Sequence, residues 1–222
     1  MSFDFLKRIL KYVSKIIETF INNKNKKRNI KMMKSELIYN LLLERAMKRE
    51  RKTTQLEIAR TLKISLSTVN NALQPLKQMG AVRINQRSLD IINAKKILFY
   101  WASKRNIEKD IIYQTRVEAS VTEIEKNIPQ NIIFTAYSAY RFMFKDAPAD
   151  YSEIYIYSDT ETLKEIKKRF PPNKNPQNLI VLRKQINELT TPNLFVDFWN
   201  IKEWYAKEYL KAMEEKINAI LE

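Results

Sequence analysis

The chain has no cysteine, no histidine and a single glycine, Gly80, in 222 residues. Without cysteine there is no disulfide, no thiolate nucleophile and no sulfur ligand. Without histidine there is no imidazole base and no His-held metal. One glycine cannot make a glycine-rich phosphate loop. The carboxylates Glu153, Asp159, Glu161, Glu165 and Asp197 do not fall at a metal-ligand spacing. The expectation is therefore a binding protein with no catalytic residue, no metal and no cofactor. No stretch approaches 18 uncharged apolar residues, which excludes a spanning helix. The N-terminus lacks the compact apolar core and small-residue cleavage site of a secretory signal. The cytoplasm is the expected compartment.

What is present is apolar material and positive charge. A hydrophobic content of 45%, with 11% aromatics, is enough to build real cores. Residues 1–100 hold 22 basic and 7 acidic side chains, a net of +15, whereas residues 101–222 hold 18 of each. The whole positive excess lies in the first half. Such a field draws phosphate polymers or anionic surfaces.

Residues 3–21 carry an amphipathic pattern (Leu6, Leu10, Val13, Ile17, Phe20) suited to packing, to pairing with a second subunit or to an anionic membrane surface. The polar, basic run 22–29 reads as a linker. From Ser35, the residues Leu37, Ile38, Leu41, Leu42 and Ala46 predict a first buried-face helix. Thr54-x-x-Glu57 has the form of a capping box for a second helix, whose apolar positions are Leu56, Ile58, Ala59 and Leu62. After the turn Lys63-Ile-Ser65, a third helix presents Val69, Leu73, Leu76 and Met79 inward. Pro75 should remove one of its backbone bonds and kink its last turn. Gly80 is the expected helix stop, since only glycine turns left-handed without a Cβ clash. Two short apolar runs around a polar, basic tip follow, from Ala81 to Asn93, and read as a β-hairpin. Helix, turn, helix, glycine and hairpin together make a winged helix-turn-helix.

Beyond a helix from Ala94 to Arg105 the pattern alternates. Strands are predicted at 111–117, 131–135, 153–157 and 178–182. Helices are predicted at 120–127, 136–144, 160–170, 192–200 and 203–221. The fold expected is mixed α+β or α/β: an N-terminal winged helix, then a small α/β domain with a helix-covered sheet and C-terminal helices. The divisions are 1–31, a basic amphipathic helix and linker; 32–105, the winged helix; and 106–222, a dimerisation or partner-binding domain.

The second helix of such a pair fits the major groove of B-DNA and meets base edges with its N-terminal residues. Ser67, Thr68, Asn70, Asn71 and Gln74 are the outward candidates. Asn and Gln suit adenine, and the absence of arginine from this helix leaves guanine without its usual partner. Arg83, Gln86, Arg87 and Ser88 on the hairpin, and Arg51, Lys52, Thr53, Thr54, Lys63 and Ser65 around the helix N-termini, are candidates for phosphate or minor-groove contact. Tyr137, Tyr140, Tyr151, Tyr155 and Tyr157 form a cluster read as one face of a sheet rather than as a base-stacking platform. The expected partners are double-stranded DNA and a second copy of the chain, paired through 3–21 or through the stripe Trp204, Tyr205, Tyr209, Leu210, Met213 and Ile217, whose alternative use is to pack on the chain's own sheet.

The winged helix, followed by Thr135-Ala-Tyr-Ser-Ala-Tyr-Arg-Phe-Met143 and Ala147-Pro-Ala-Asp-Tyr-Ser-Glu-Ile-Tyr-Ile-Tyr157, resembles AbiEi-type regulators over about residues 35–200. These are the antitoxin half of abortive-infection toxin–antitoxin pairs, and archaeal winged-helix regulators share the layout. The resemblance implies a transcriptional regulator and, as an alternative, an antitoxin with a toxin protein as partner. A nucleic-acid-processing enzyme with an unrecognised site is the reading from another class.

Overall fold

The computed structural model describes residues 34–221, with side chains as far as Asn218. The amphipathic segment 3–21 and the linker after it lie outside the described residues.

Helix α1 (34–47) buries Ile38, Tyr39, Leu42, Leu43 and Ala46. A two-residue strand, β1 (Lys52–Thr53), leads into α2 (Gln55–Thr61) and α3 (Leu66–Gln78). The hairpin β2 (Val82–Ile84) and β3 (Leu89–Ile91) follows, and β1 joins it antiparallel to give the order β1-β3-β2. Sequence did not mark β1, because two residues are too few for any period to register. Helix α4 (Ala94–Lys104) closes this half, burying Ile97, Leu98 and Trp101.

The helix ends follow the expected caps in part. Thr54 caps α2, accepting the Glu57 amide at 3.0 Å. The Glu57 carboxylate accepts from the Thr53 hydroxyl at 2.7 Å and from Arg45 at 2.7 Å. The reciprocal capping box forms further on, between Ser120 and Glu123. Pro75 sits inside α3, which runs on past it to Gln78. Past it, the Gly80 amide reaches Lys77 O at 3.0 Å and the Ala81 amide reaches Leu76 O at 2.8 Å, with Gly80 at φ 69°. That pairing is a Schellman stop. Nor is glycine the only residue turned left-handed. Lys63 at φ 52° closes α2 with the same pattern, the Ile64 amide bonding Ala59 O at 3.0 Å, and Arg49, Asn131, Ala136 and Lys145 also have positive φ.

The second half opens with a short 3-10 turn (Ile107–Asp110) and runs β4 (Ile111–Thr115), α5 (Val121–Asn127), β5 (Ile133–Thr135), α6 (Ala136–Phe144), β6 (Ile154–Ser158), α7 (Thr160–Arg169), β7 (Leu179–Arg183), α8 (Thr191–Asn200) and α9 (Ala206–Leu221). The sheet order is β4-β7-β6-β5, with β6 and β7 parallel and both edges antiparallel. Its two inner strands are buried on both faces, as their unbroken apolar runs require. Ile154, Ile156, Leu179 and Val181 pack with Ile124 of α5 and Ile166 of α7. Tyr155, Tyr157, Ile180 and Leu182 belong to the larger core with α6, α8 and α9. That core continues without a break into Leu42, Leu73 and Trp101 of the winged helix, with α8 packed against α4.

The tyrosine cluster is internal. Tyr137, Tyr140, Tyr155 and Tyr157 are buried, and Tyr137 stacks on Tyr151 with ring centres 5.3 Å apart. The C-terminal stripe read as a subunit interface is also used inside: Tyr209, Met213 and Ile217 are buried, and Tyr209 stacks on Phe198 at 5.1 Å. Trp204 alone of that group is widely exposed. Among the described residues no group of three or more carboxylates could hold a metal, and no helix is long and apolar enough to cross a membrane.

Candidate nucleic-acid interface

Helix α3 is two-faced because its apolar residues recur at helical spacing. Val69, Ala72, Leu73 and Leu76 are buried, and Ser67, Asn70, Asn71 and Gln74 stand on the exposed side. Ser65 is the N-cap. Its hydroxyl accepts the Thr68 amide at 3.2 Å and lies 3.0 Å from the Ser67 hydroxyl and 2.8 Å from that of Thr68. Ser65 thus starts the helix, and Ser67 and Thr68 extend a small hydroxyl cluster at its first turn. Gln74 Nε2 donates to Asn70 Oδ1 at 2.9 Å, one turn apart. That bond uses the Asn70 oxygen and the Gln74 amide nitrogen, and Asn70, Asn71 and Gln74 are all exposed.

The far end of α3 is held as firmly. Lys96 Nζ donates to Met79 O at 2.8 Å, placing a cation on the helix C-terminus, and Asn93 caps α4 by accepting the Lys96 amide at 2.9 Å. The sequence gives no hint of the Lys96 contact, since it spans the whole hairpin.

The wing tip is a four-residue turn in which the Asn85 amide bonds Ser88 O at 2.8 Å. Asn85 Nδ2 also donates to Ser88 Oγ and to Asp90 Oδ2, both at 3.0 Å. These bonds spend Asn85 and Ser88 on rigidity and leave Gln86 and Arg87 exposed at the tip. Arg83 is exposed on β2, where it pairs in register with Asp90.

A groove runs between the tip and the helices, lined by Thr54, Gln55, Leu56, Leu66, Asn85, Gln86, Arg87 and Ser88. It brings Thr54 of the helix N-terminus together with Gln86, Arg87 and Ser88 of the wing. Lys63 is exposed in the turn before α3, and Lys52 is exposed on β1. Arg51 is half-buried beside β3, its carbonyl accepting the Ile91 amide at 2.8 Å. Thr53 faces inward, 6% exposed, with its hydroxyl given to Glu57. That bond, with Arg45 adding to it, holds the Glu57 carboxyl below the ordinary carboxylate range. Glu57 is thereby a paired charge and not a free anion beside the groove.

Leu56 and Leu66 were the residues sequence misplaced or passed over. Leu56 reads as part of the buried face of α2 yet is 49% exposed, and Leu66, at the first position of α3, is 50% exposed. Each continues an apolar period beyond the point where the core ends. The sequence signal is the spacing itself, which cannot say where packing stops.

The arrangement is a row of amides and hydroxyls over the first turns of α3, with exposed Lys77 in its last turn and further exposed cations on the turn before it and on the wing. Amide side chains can read base edges, and the cations can hold phosphate. No curated protein and no solved structure matches the chain. Residues 38–83, from α1 through α2 and α3 into β2, match a family described as winged helix-turn-helix DNA-binding, and this segment is similar to such domains.

Proposed function

We propose that the chain is a transcriptional regulator that binds double-stranded DNA in a sequence-dependent way, with α3 in the major groove and the wing against neighbouring phosphate or minor groove. The observation that carries this reading is the uncharged, exposed face Ser67, Asn70, Asn71 and Gln74, with Lys63 to one side and Arg83 and Arg87 on the wing. Discrimination then comes from hydrogen bonds to base edges, and affinity from phosphate neutralisation. The net +15 of residues 1–100 adds a long-range attraction. Residues 106–222 are assigned to partner binding. The resemblance to AbiEi-type regulators makes a toxin protein the second candidate there, beside another copy of the chain.

The test is selection of duplexes from random sequence by the full chain, followed by titration of the enriched duplex at several salt concentrations. With 6–10 phosphate contacts, affinity falls by on the order of 10³–10⁵ between 50 and 200 mM salt. Failure to enrich any duplex, or a flat salt profile, would overturn the proposal.

A further inference from the structure

We infer that Leu66 reads the C5-methyl group of thymine, so that the site bound contains A·T pairs met from the thymine side as well as the adenine side. The inference rests on the DNA-binding reading and goes beyond it by naming a base and an atom.

Leu66 is half exposed at the first turn of α3, the end of a recognition helix that approaches base edges. A helical side chain leans toward its own N-terminus, so that of Leu66 extends out past the start of the helix. Leu66, Asn70 and Gln74 stand at intervals of four and therefore form one row along the helix. Asn70 and Gln74 are tied by the 2.9 Å bond. The row offers one apolar group followed by two amides.

The major-groove edge of an A·T pair offers the matching chemistry. Adenine presents N7 and the N6 amino group, which suit an amide side chain, and thymine presents the only methyl group in the groove. Leu56, the other half-exposed leucine, lines the same groove as Leu66, opposite the wing-tip residues Gln86 and Arg87. Two leucines on a face otherwise made of hydroxyls, amides and cations give up favourable burial in the free protein. Contact with a methyl group and the apolar face of a sugar returns it. Arg87 at the rim supplies the charge complementary to the phosphates on either side of such a base.

The experiment uses the full chain and the duplex it enriches from random sequence. Each thymine is replaced singly by deoxyuridine, which removes the methyl and nothing else. At one or two positions binding should weaken roughly three- to fivefold, the worth of burying one carbon group. Leu66→Ala should lose that sensitivity, binding thymine and deoxyuridine duplexes equally. Leu66→Met, which keeps an apolar chain, should retain it. If the enriched duplex binds but no deoxyuridine weakens it, the inference fails while the DNA-binding reading stands. It fails too if Leu66→Ala remains sensitive at the same thymine, since another residue then reads the methyl. If no duplex is enriched at all, the broader reading falls and this one with it. Should Leu66→Ala not fold, Leu66→Gln takes its place: the polar side chain should lose the sensitivity, and its persistence at the same thymine would overturn the inference.

Discussion

Arg105 donates from Nη2 to the hydroxyl of Tyr157 at 3.1 Å, joining the last residue of the winged-helix half to the middle of the second sheet. Around this bond lies a buried network. Arg105 Nη1 pairs with Glu36 of α1 at 3.1 Å and with Asp110, and Nη2 lies 3.6 Å from Asp197 Oδ1. Asp197 Oδ2 accepts from Tyr157 at 2.6 Å and from Thr135 at 2.7 Å. One guanidinium thus serves three carboxylates drawn from α1, the 3-10 turn and α8. Asp197, a carboxylate without a role in the sequence reading, has 0% exposure and acts as the acceptor at the centre of the network.

Removing the cation leaves those carboxylates without a counter-charge. Breaking a buried pair from one side costs about 3–5 kcal/mol, because the remaining charge stays desolvated. Arg105→Leu is expected to lower unfolding stability by that amount in urea titration. A loss below about 1 kcal/mol would show that the network rearranges freely.

Glu36 gives the network a dependence on pH. Burial pushes its carboxyl up to about 7, with Arg105 pulling the other way. Its folded value is above its unfolded one, so the stability it contributes is fully present below the ordinary carboxylate range. That contribution falls as pH rises through about 7. Glu36→Gln keeps the shape and removes the titration. The difference in melting temperature between variant and wild type should move in the variant's favour from pH 5 to pH 8. A difference constant across that range would assign the carboxyl an ordinary value.

Gly80 separates backbone conformation from space. A Cβ built there meets only Lys96 Nζ, at 3.9 Å, so there is room for one. Its φ of 69° is what a side chain resists. Gly80→Ala should cost about 1–2 kcal/mol, the left-handed penalty. Gly80→Asn should cost less, since asparagine tolerates that region better. Equal stability of Gly80→Ala and wild type in urea would mean the turn shifts to another geometry.

On the nucleic-acid face, reading and gripping can be told apart. Asn70→Ala and Asn71→Ala remove no charge. Each lost bidentate contact should lower affinity for the selected duplex by about 1–3 kcal/mol and leave random duplex and the salt slope unchanged. Arg87→Ala removes a cation from the wing tip and should weaken both kinds of duplex, flattening the salt slope by about one unit. Retained sequence preference in a folded Asn70→Ala, Asn71→Ala double variant would remove these residues from the reading surface.

Sequence by itself determined the order of the longer elements, missing only β1 and the 3-10 turn, and placed several helix ends. The stop at Gly80, the caps at Ser65 and Thr54 and the helix from Ala136 to Phe144 are local facts: a left-handed turn, a hydroxyl reaching an amide three residues on, and an unbroken helical period. The exposed face of α3 was legible for the same reason, since a period of 3.6 sorts Asn70, Asn71 and Gln74 away from Val69, Leu73 and Leu76. Tertiary structure decided what depends on partners distant in sequence. It paired β6 parallel to β7, turned Tyr209 and Met213 inward, and left Leu56 and Leu66 exposed. It also brought Glu36, Arg105, Tyr157 and Asp197 into one network across 161 residues of chain. Periodicity fixes which side of an element is apolar. Whether that side meets a core, a ligand or water depends on what else the fold places against it.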